Sequence, residues 1–201
     1  MAIQWHDAVR HGLARDPLKA IVAPRPIGWI STYGEDGTAN LAPYSFFNLV
    51  SDDPKIVMFA STGWKHSATN AIRRGGFAAN LATRAARDAV SLTSADLPGG
   101  ESEFEAAGLA AAPCRAVDAP RLADNPAVLE CAVTEHLVPR DRSGGAADAV
   151  LVLGEVVGYW LDERYVTDGR FDTARARPLA RLGYRDYASV DETFEIMRPT
   201  D

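Results

Sequence analysis

Two long apolar segments constrain this chain more than anything else in it. "VLECAVTEHLVP" (128–139) and "AVLVLGEVVGYWLD" (149–162) are rich in Val and Leu, and "RDRSGGAAD" separates them. Two such runs around a polar, Gly-containing tip read as a long antiparallel hairpin. A second hairpin lies upstream: "IVAPRPIGWISTYG" and "TANLAPYSFFNLVS" flank Glu35-Asp36-Gly37, which carries an Asp-Gly turn signal. Ile56, Val57, Met58 and Phe59, bounded by Pro54 and Gly63, form a short buried strand, and "FAANLAT" forms another. Helices are short. "HSATNAIRRGG" reads as a helix capped by Ser67, with Ala68, Ala71 and Ile72 on one side and a Gly75-Gly76 stop. "RAARDAVSLTSAD" reads as a helix ended by Pro98-Gly99-Gly100, and "ESEFEAAGLAAAP" as a helical turn with a Gly stop. From Arg164 onward the chain is mostly loop with short elements. Hairpins outnumber βαβ units, so the expected class is mainly β: an antiparallel barrel with attached helices, not a doubly wound sheet.

The 201 residues suit one domain over 1–201 with N- and C-terminal extensions. A net charge of −6 argues against a nucleic-acid coat, which needs clustered Lys and Arg, but not against a small anion in a local positive pocket. Cys114 and Cys131 form no CxxC and have no His at ligand spacing, so they read as reduced thiols. The N-terminal "MAIQWHDAVRHGLARDPLKA" has no apolar core of a signal peptide. No run approaches 18 apolar residues, so no membrane span is expected and the expected location is cytoplasmic.

Several chemistries lack their motif. There is no strand followed by GxGxxG, no Walker motif and no GxSxG elbow. His6, His11, His66 and His136 are scattered, so no metal site is expected. The remaining chemistry gathers in three places: Trp29, Ser31 and Thr32; then Asn40, Pro43, Tyr44, Ser45, Phe46, Phe47 and Asn48; then Ser61, Thr62, Trp64, Lys65, His66, Ser67 and Asn70. A helix start carrying Lys65 and Ser67 suits a phosphate, because its free N–H groups and dipole favour an anion. A planar heteroaromatic ring edged by backbone amides suits the first two places, and together these demands match flavin mononucleotide (FMN). Each residue also has a plain structural reading: Trp29, Phe46 and Phe47 as core, Ser67 as a cap only, Lys65 as a solvated charge, Arg25 as a structural or interface cation.

"PRPIGWIST" with "NLAPYSFFN", followed by a strand and "KHSATNAI", resembles the flavin reductase-like family of FMN-binding split-barrel proteins. So do "EFEAAGL", "NPAVLECAV", "LVLGEVVGYWLDE", "DGRFD", "PLARLGYRDYASV" and "ETFEIMRP"; the resemblance covers roughly 15–199. It implies a six-stranded Greek-key split barrel and a homodimer with FMN in a groove near the interface. It places Trp29, Ser31 and Thr32 along the ring or ribityl chain, with Ser61 also on the cofactor side. Asn40, Ala42, Pro43, Tyr44 and Ser45 would bracket the isoalloxazine, and Lys65, His66 and Ser67 would hold the phosphate. Arg181, Gly183, Tyr184 and Tyr187, with Trp160, fall on the substrate side. Three residues depart from the family pattern: His66 stands for Asp, Tyr184 for a second Gly and Trp160 for His.

The activity implied is an NAD(P)H-dependent flavin reductase, an oxidoreductase with no side-chain nucleophile, able to supply reduced flavin to a monooxygenase or another redox protein. Two rivals remain: a flavoredoxin-like FMN electron carrier that does not oxidise nicotinamide, and a ligand-free dimeric scaffold.

Overall fold

The computed structural model describes residues 3–95, 97 and 101–199. Its main sheet is antiparallel and built from β2 (Gly28–Tyr33), β3 (Ala39–Tyr44), β4 (Phe47–Asp52), β5 (Lys55–Ser61), β6 (Gly76–Leu81), β9 (Ala127–Leu137) and β10 (Val150–Leu161), in the order β3-β2-β6-β9-β10-β5-β4. β3 and β4 lie at opposite ends of that order, yet only Ser45 and Phe46 separate them in the chain. One bent segment therefore supplies both edges and curls the sheet on itself. Counted once, that segment makes the barrel six-stranded, as expected. Shorter strands add a β1 (Arg25–Pro26), β13 (Leu179–Arg181), β14 (Tyr187–Ser189) sheet and the β7 (Ala111–Pro113), β8 (Pro120–Leu122) and β11 (Val166–Thr167), β12 (Arg170–Phe171) ribbons.

The two hairpins form as their sequences dictate. Between β2 and β3, the Gly34 amide donates to the Thr38 carbonyl, and Gly37 takes φ +85° in the left-handed region. Between β9 and β10, Asp141 Oδ1 accepts from the Ser143 and Gly145 amides and from the Ser143 hydroxyl. β9 and β10 pair along almost their whole length, with irregular register at Leu153/Gly154 and Val156/Gly158.

Two cores lie on either side of β2. Inside the barrel, Ile30, Val57, Phe59, Phe77, Ala79, Cys131, Val150 and Val152 pack against Ala68 and Ala71 of α2 (His66–Arg74). Outside it, Trp29, Leu41, Leu122 and Leu179 pack against Val90 of α3 (Arg87–Leu92) and Phe104 of α4 (Glu103–Ala106). Strand alternation sends Ile30 inward and Trp29 outward, which is why β2 is buried on both faces. α1 (Leu18–Ile21) packs on the turn after β13, and α5 (Thr173–Ala176) precedes that strand.

The expected Ser67 cap is not what starts α2: Lys65 occupies the N-cap, with no side-chain cap bond, and Ser67 sits inside the first turn. Its hydroxyl is buried and turned toward β3, out of reach of a capping geometry. The expected Pro98-Gly99-Gly100 helix end lies outside the described residues. Both cysteines are free thiols, and burial pushes Cys114 up to about 12 and Cys131 higher still. Among the described residues, no helix is long and apolar enough to cross a membrane.

Gly154 is where β10 crosses the barrel core. A Cβ there would lie 2.6 Å from the Phe77 ring and 3.0 Å from Cys131 Cβ, both fully buried. Gly154→Ala is expected to cost roughly 1–3 kcal/mol by overpacking. A thermal melt checks this, at about 2–4 °C per kcal/mol for a chain of this size.

Candidate functional site

A cleft of about 310 Å³ opens where β3 faces the start of α2. β3 contributes Asn40, Ala42, Pro43 and Tyr44; the α2 entrance contributes Trp64, Lys65, His66 and Ser67; the end of α3 contributes Thr93 and Ser94; and α4 contributes Glu103. A second lobe of about 580 Å³ runs on along α2 past Thr69 and Asn70 to Arg73 and the β2–β3 turn. The two lobes share Asn40, Trp64, His66, Ala95 and Glu103.

Asn40 is the hub of the first lobe. Its Nδ2 donates to both Glu103 carboxylate oxygens at 3.0 Å, and its Oδ1 accepts from the Ser67 hydroxyl at 2.8 Å and the Thr32 hydroxyl at 3.3 Å. The Leu41 amide also donates to Glu103 at 3.0 Å, and the Ser102 hydroxyl donates to the Ala39 carbonyl at 2.6 Å. Asn70 Nδ2 reaches Thr32 Oγ1 at 3.4 Å. β3, α2 and α4 are thus tied by one chain of polar contacts along the floor of the cleft.

Around this hub the groups differ in character. Lys65 cannot accept a hydrogen bond, so the first-turn amides of α2 have no side-chain cap and the helix meets the cleft with donors, a positive dipole end and an ammonium. Burial pushes the Tyr44 phenol above its ordinary range, with the Ser67 and Ser61 hydroxyls pulling the other way and Glu103 adding to the rise. Tyr44 therefore stays a protonated donor at neutral pH. The Ser61 hydroxyl is buried and has no well-formed hydrogen bond of its own. Trp64 stands 58% exposed at the rim, edge-on to His136 at 6.0 Å.

Of the residues singled out from the sequence, Asn40, Ala42, Pro43, Tyr44, Lys65, His66 and Ser67 line the cleft. Ser45 lies just past it, at the bend. Trp29, Ser31, Thr32 and Ser61 do not line it; all four are fully buried. Trp29 Nε1 donates to Thr93 Oγ1 at 2.9 Å, and Ser31 donates to the Pro120 carbonyl at 2.6 Å while accepting from Asn80 at 2.9 Å. Their polar atoms hold the outer layer onto the barrel; Thr32 reaches the cleft through Asn40 and Asn70.

Trp160, Arg181 and Tyr184 are not brought to the cleft within one chain. Trp160 donates its indole N–H to Glu130, and the Arg121 guanidinium lies 3.8 Å from its ring centroid. Arg181 lies 4.3 Å from the Tyr187 ring centroid and donates to the Tyr184 carbonyl at 2.7 Å. Sequence reasoning missed Glu103, Thr93 and Ser94 as cleft residues. The only signal was a carboxylate opening a short helical turn in "ESEFEAAGL".

The profile of the flavin reductase-like domain matches residues 22–179. The chain belongs to the flavin reductase-like family. Its fold is the split barrel of that family. An uncharacterised protein of Halalkalibacterium halodurans is 36% identical over 189 residues, spanning 91% of this chain and 90% of its own. Among solved structures, nitrilotriacetate monooxygenase component B of Bacillus cereus aligns with a TM-score of 0.82 at 28% identity, covering 89% of this chain and 90% of that one. The 2-nitrobenzoate 2-nitroreductase NbaA of Pseudomonas fluorescens aligns at 0.79 and 27% identity, covering 91% and 89%.

Removing the Glu103 carboxylate strands the Leu41 amide and the Asn40 side chain together. Glu103→Ala is expected to lower stability by about 1–3 kcal/mol, and Glu103→Gln, which keeps an acceptor, by less. The midpoint of denaturant unfolding at constant slope is the readout.

Proposed function

We propose that this protein binds FMN in the first lobe of the cleft and acts as an NAD(P)H-dependent flavin reductase. The observation that carries the reading is the uncapped start of α2, opening beside Lys65 into a cleft whose opposite wall is the β3 backbone from Asn40 to Tyr44. The donor set fits the cofactor. Lys65 with the His66 and Ser67 amides suits a phosphate dianion; the Ala42-Pro43-Tyr44 wall suits the edge and face of a planar ring. His66, in place of the Asp of the family pattern, leaves the anion end without a like charge.

A flavin bound there supplies two-electron chemistry, accepting hydride from a nicotinamide and passing electrons on. The chain's own part is positioning. The Asn40–Glu103–Ser67 contacts hold the two walls of the cleft at fixed separation, so little ordering remains when a ligand enters. Tyr44 keeps a proton to donate toward a ring heteroatom. The Trp64 indole offers an exposed apolar face at the rim that limits water access.

The substrate side is completed, in this reading, by a second copy. Val157, Tyr159 and Leu161 on the outer half of β10 are 46–54% exposed, an apolar stripe that suits a homodimer interface. The likeness to a monooxygenase component B supports delivery of reduced flavin to a monooxygenase. The second reading, an electron carrier, is favoured by one fact: Trp160 is held by Glu130 and Arg121 away from the cleft. Rapid mixing with NADH and NADPH separates the two, since a carrier is reduced by a protein donor and hardly by either nucleotide.

Purified protein should show flavin absorbance or gain it with added FMN; colourless protein without FMN affinity removes the cofactor reading, and bound FMN without NAD(P)H oxidation removes the reductase reading alone. Lys65→Ala should weaken FMN binding by roughly tenfold and flatten its salt dependence, as loss of one charge-assisted contact does. Equal affinity of the variant and the parent across a salt titration would place Lys65 away from the phosphate.

A further inference from the structure

Four cations, Arg15, Lys19, Arg181 and Arg185, gather around the buried Arg25 on one face of this acidic chain. Arg15, Lys19 and Arg25 lie in the N-terminal segment, α1 and β1; Arg181 and Arg185 lie in β13 and the turn after it. Residues 15–26 and 179–187 carry two acids, Asp16 and Asp186, and Asp16 accepts from the Leu18 amide at 2.9 Å. Among the described residues, Arg15, Lys19, Arg25 and Arg181 form no ion pair. They lie over aromatic rings instead: Arg15 is 5.7 Å from the Tyr184 centroid, Lys19 and Arg25 are 5.8 and 6.0 Å from that of Phe46, and Arg181 is 4.3 Å from that of Tyr187.

The face is continuous and rigidly built. Arg25 and Arg181 are register partners across β1 and β13. Arg25 donates to the Lys19 carbonyl at 2.6 Å, the Leu182 carbonyl at 2.8 Å and the Val22 carbonyl, and its Nε is buried with no partner. Gly183 sits so close to α1 that a Cβ there would fall 2.5 Å from that of Ala20. On this base Phe46, Tyr184 and Tyr187 stand 45–48% exposed. Unneutralised cations beside solvent-facing rings match a ligand that joins a dianion to a flat heterocycle: the charge seeks a phosphomonoester, and the rings offer stacking to a purine.

We infer that this face binds the 2′-phosphorylated adenosine end of a dinucleotide reductant, so that the protein selects the phosphorylated nicotinamide dinucleotide over the plain one. This rests on the flavin reductase reading. The unphosphorylated dinucleotide lacks the terminal dianion and gains only the stacking.

Calorimetric titration of the full chain, with and without FMN, tests this using 2′-phosphoadenosine 5′-phosphate against adenosine 5′-phosphate and inorganic phosphate. The doubly phosphorylated probe is expected to bind about tenfold tighter than either comparison and to weaken as salt rises. Lys19→Ala and Arg181→Ala, both on solvent-facing side chains, should each reduce that affinity about three- to tenfold. With FMN bound, NADPH should exceed NADH in kcat/KM. No saturable binding, equal affinity for all three probes, or parental affinity in both variants overturns the inference. Should FMN bind and nicotinamide be oxidised while the doubly phosphorylated probe fails to bind, this inference alone falls. Should FMN not bind, the flavin reductase reading falls, and the titration of the flavin-free chain still decides whether the face takes the probe.

Discussion

Everything in this molecule depends on the bend at Ser45-Phe46. Before it, the chain pairs with β2 through Tyr44; after it, the chain pairs with β5 from Phe47. The Ala60 amide donates to the Phe46 carbonyl at 2.8 Å, which carries the β5 pairing into the corner. Gly28 is the counterpart. A Cβ there would fall 2.5 Å from the Phe47 ring, so only glycine lets the ring close over β2. Bending this way lets a single segment supply both end strands of the sheet. It also puts Pro43 and Tyr44 on the last straight stretch before the corner, facing the start of α2. The cleft is thus a consequence of how the barrel closes.

The second constraint is that β2 has no free face. Its inward residues belong to the barrel core and its outward residues to the layer formed by α3, α4 and β8 (Pro120–Leu122). Polar groups on such a strand must find partners or carry a desolvation cost. Ser31 donates to the Pro120 carbonyl of β8, and Asn80 of β6 bridges the two strands, donating to the Trp29 carbonyl of β2 at 2.8 Å and accepting from the Leu122 amide of β8 at 2.8 Å. Thr32 meets it through Asn40 and Asn70. The outer layer therefore covers Trp29, and it also delivers Glu103 and Thr93 to the cleft.

This arrangement explains what the sequence revealed and what it hid. The strands announced themselves, because apolar runs bounded by Gly, Pro and Asp are local signals. The closure did not: nothing in "NLAPYSFFN" says that its halves pair with different neighbours. Residues of the cleft that sit on one short stretch, such as Lys65 to Ser67, were legible from the chemistry of a helix start. Ser31 and Trp29 looked equally functional on paper. Strand alternation turns them outward, where Pro120 and Thr93 take their hydrogen bonds. Glu103 escaped because its partners Asn40 and Leu41 are 63 and 62 residues away, and one carboxylate among several in a short acidic stretch has no local signature.

Trp160 carries the argument furthest from its sequence reading. Glu130 is almost wholly buried, and burial alone would raise its pKa. The Arg115 amide, the Trp160 indole, the Ala116 amide and the nearby Arg121 outweigh that, holding it below the ordinary carboxylate range. A carboxylate kept ionised in the interior needs donors that cannot leave it. An indole N–H is such a donor: it has no acceptor and no titration near neutral pH, unlike an imidazole. Trp160 thus fixes an ion-holding clamp at β10.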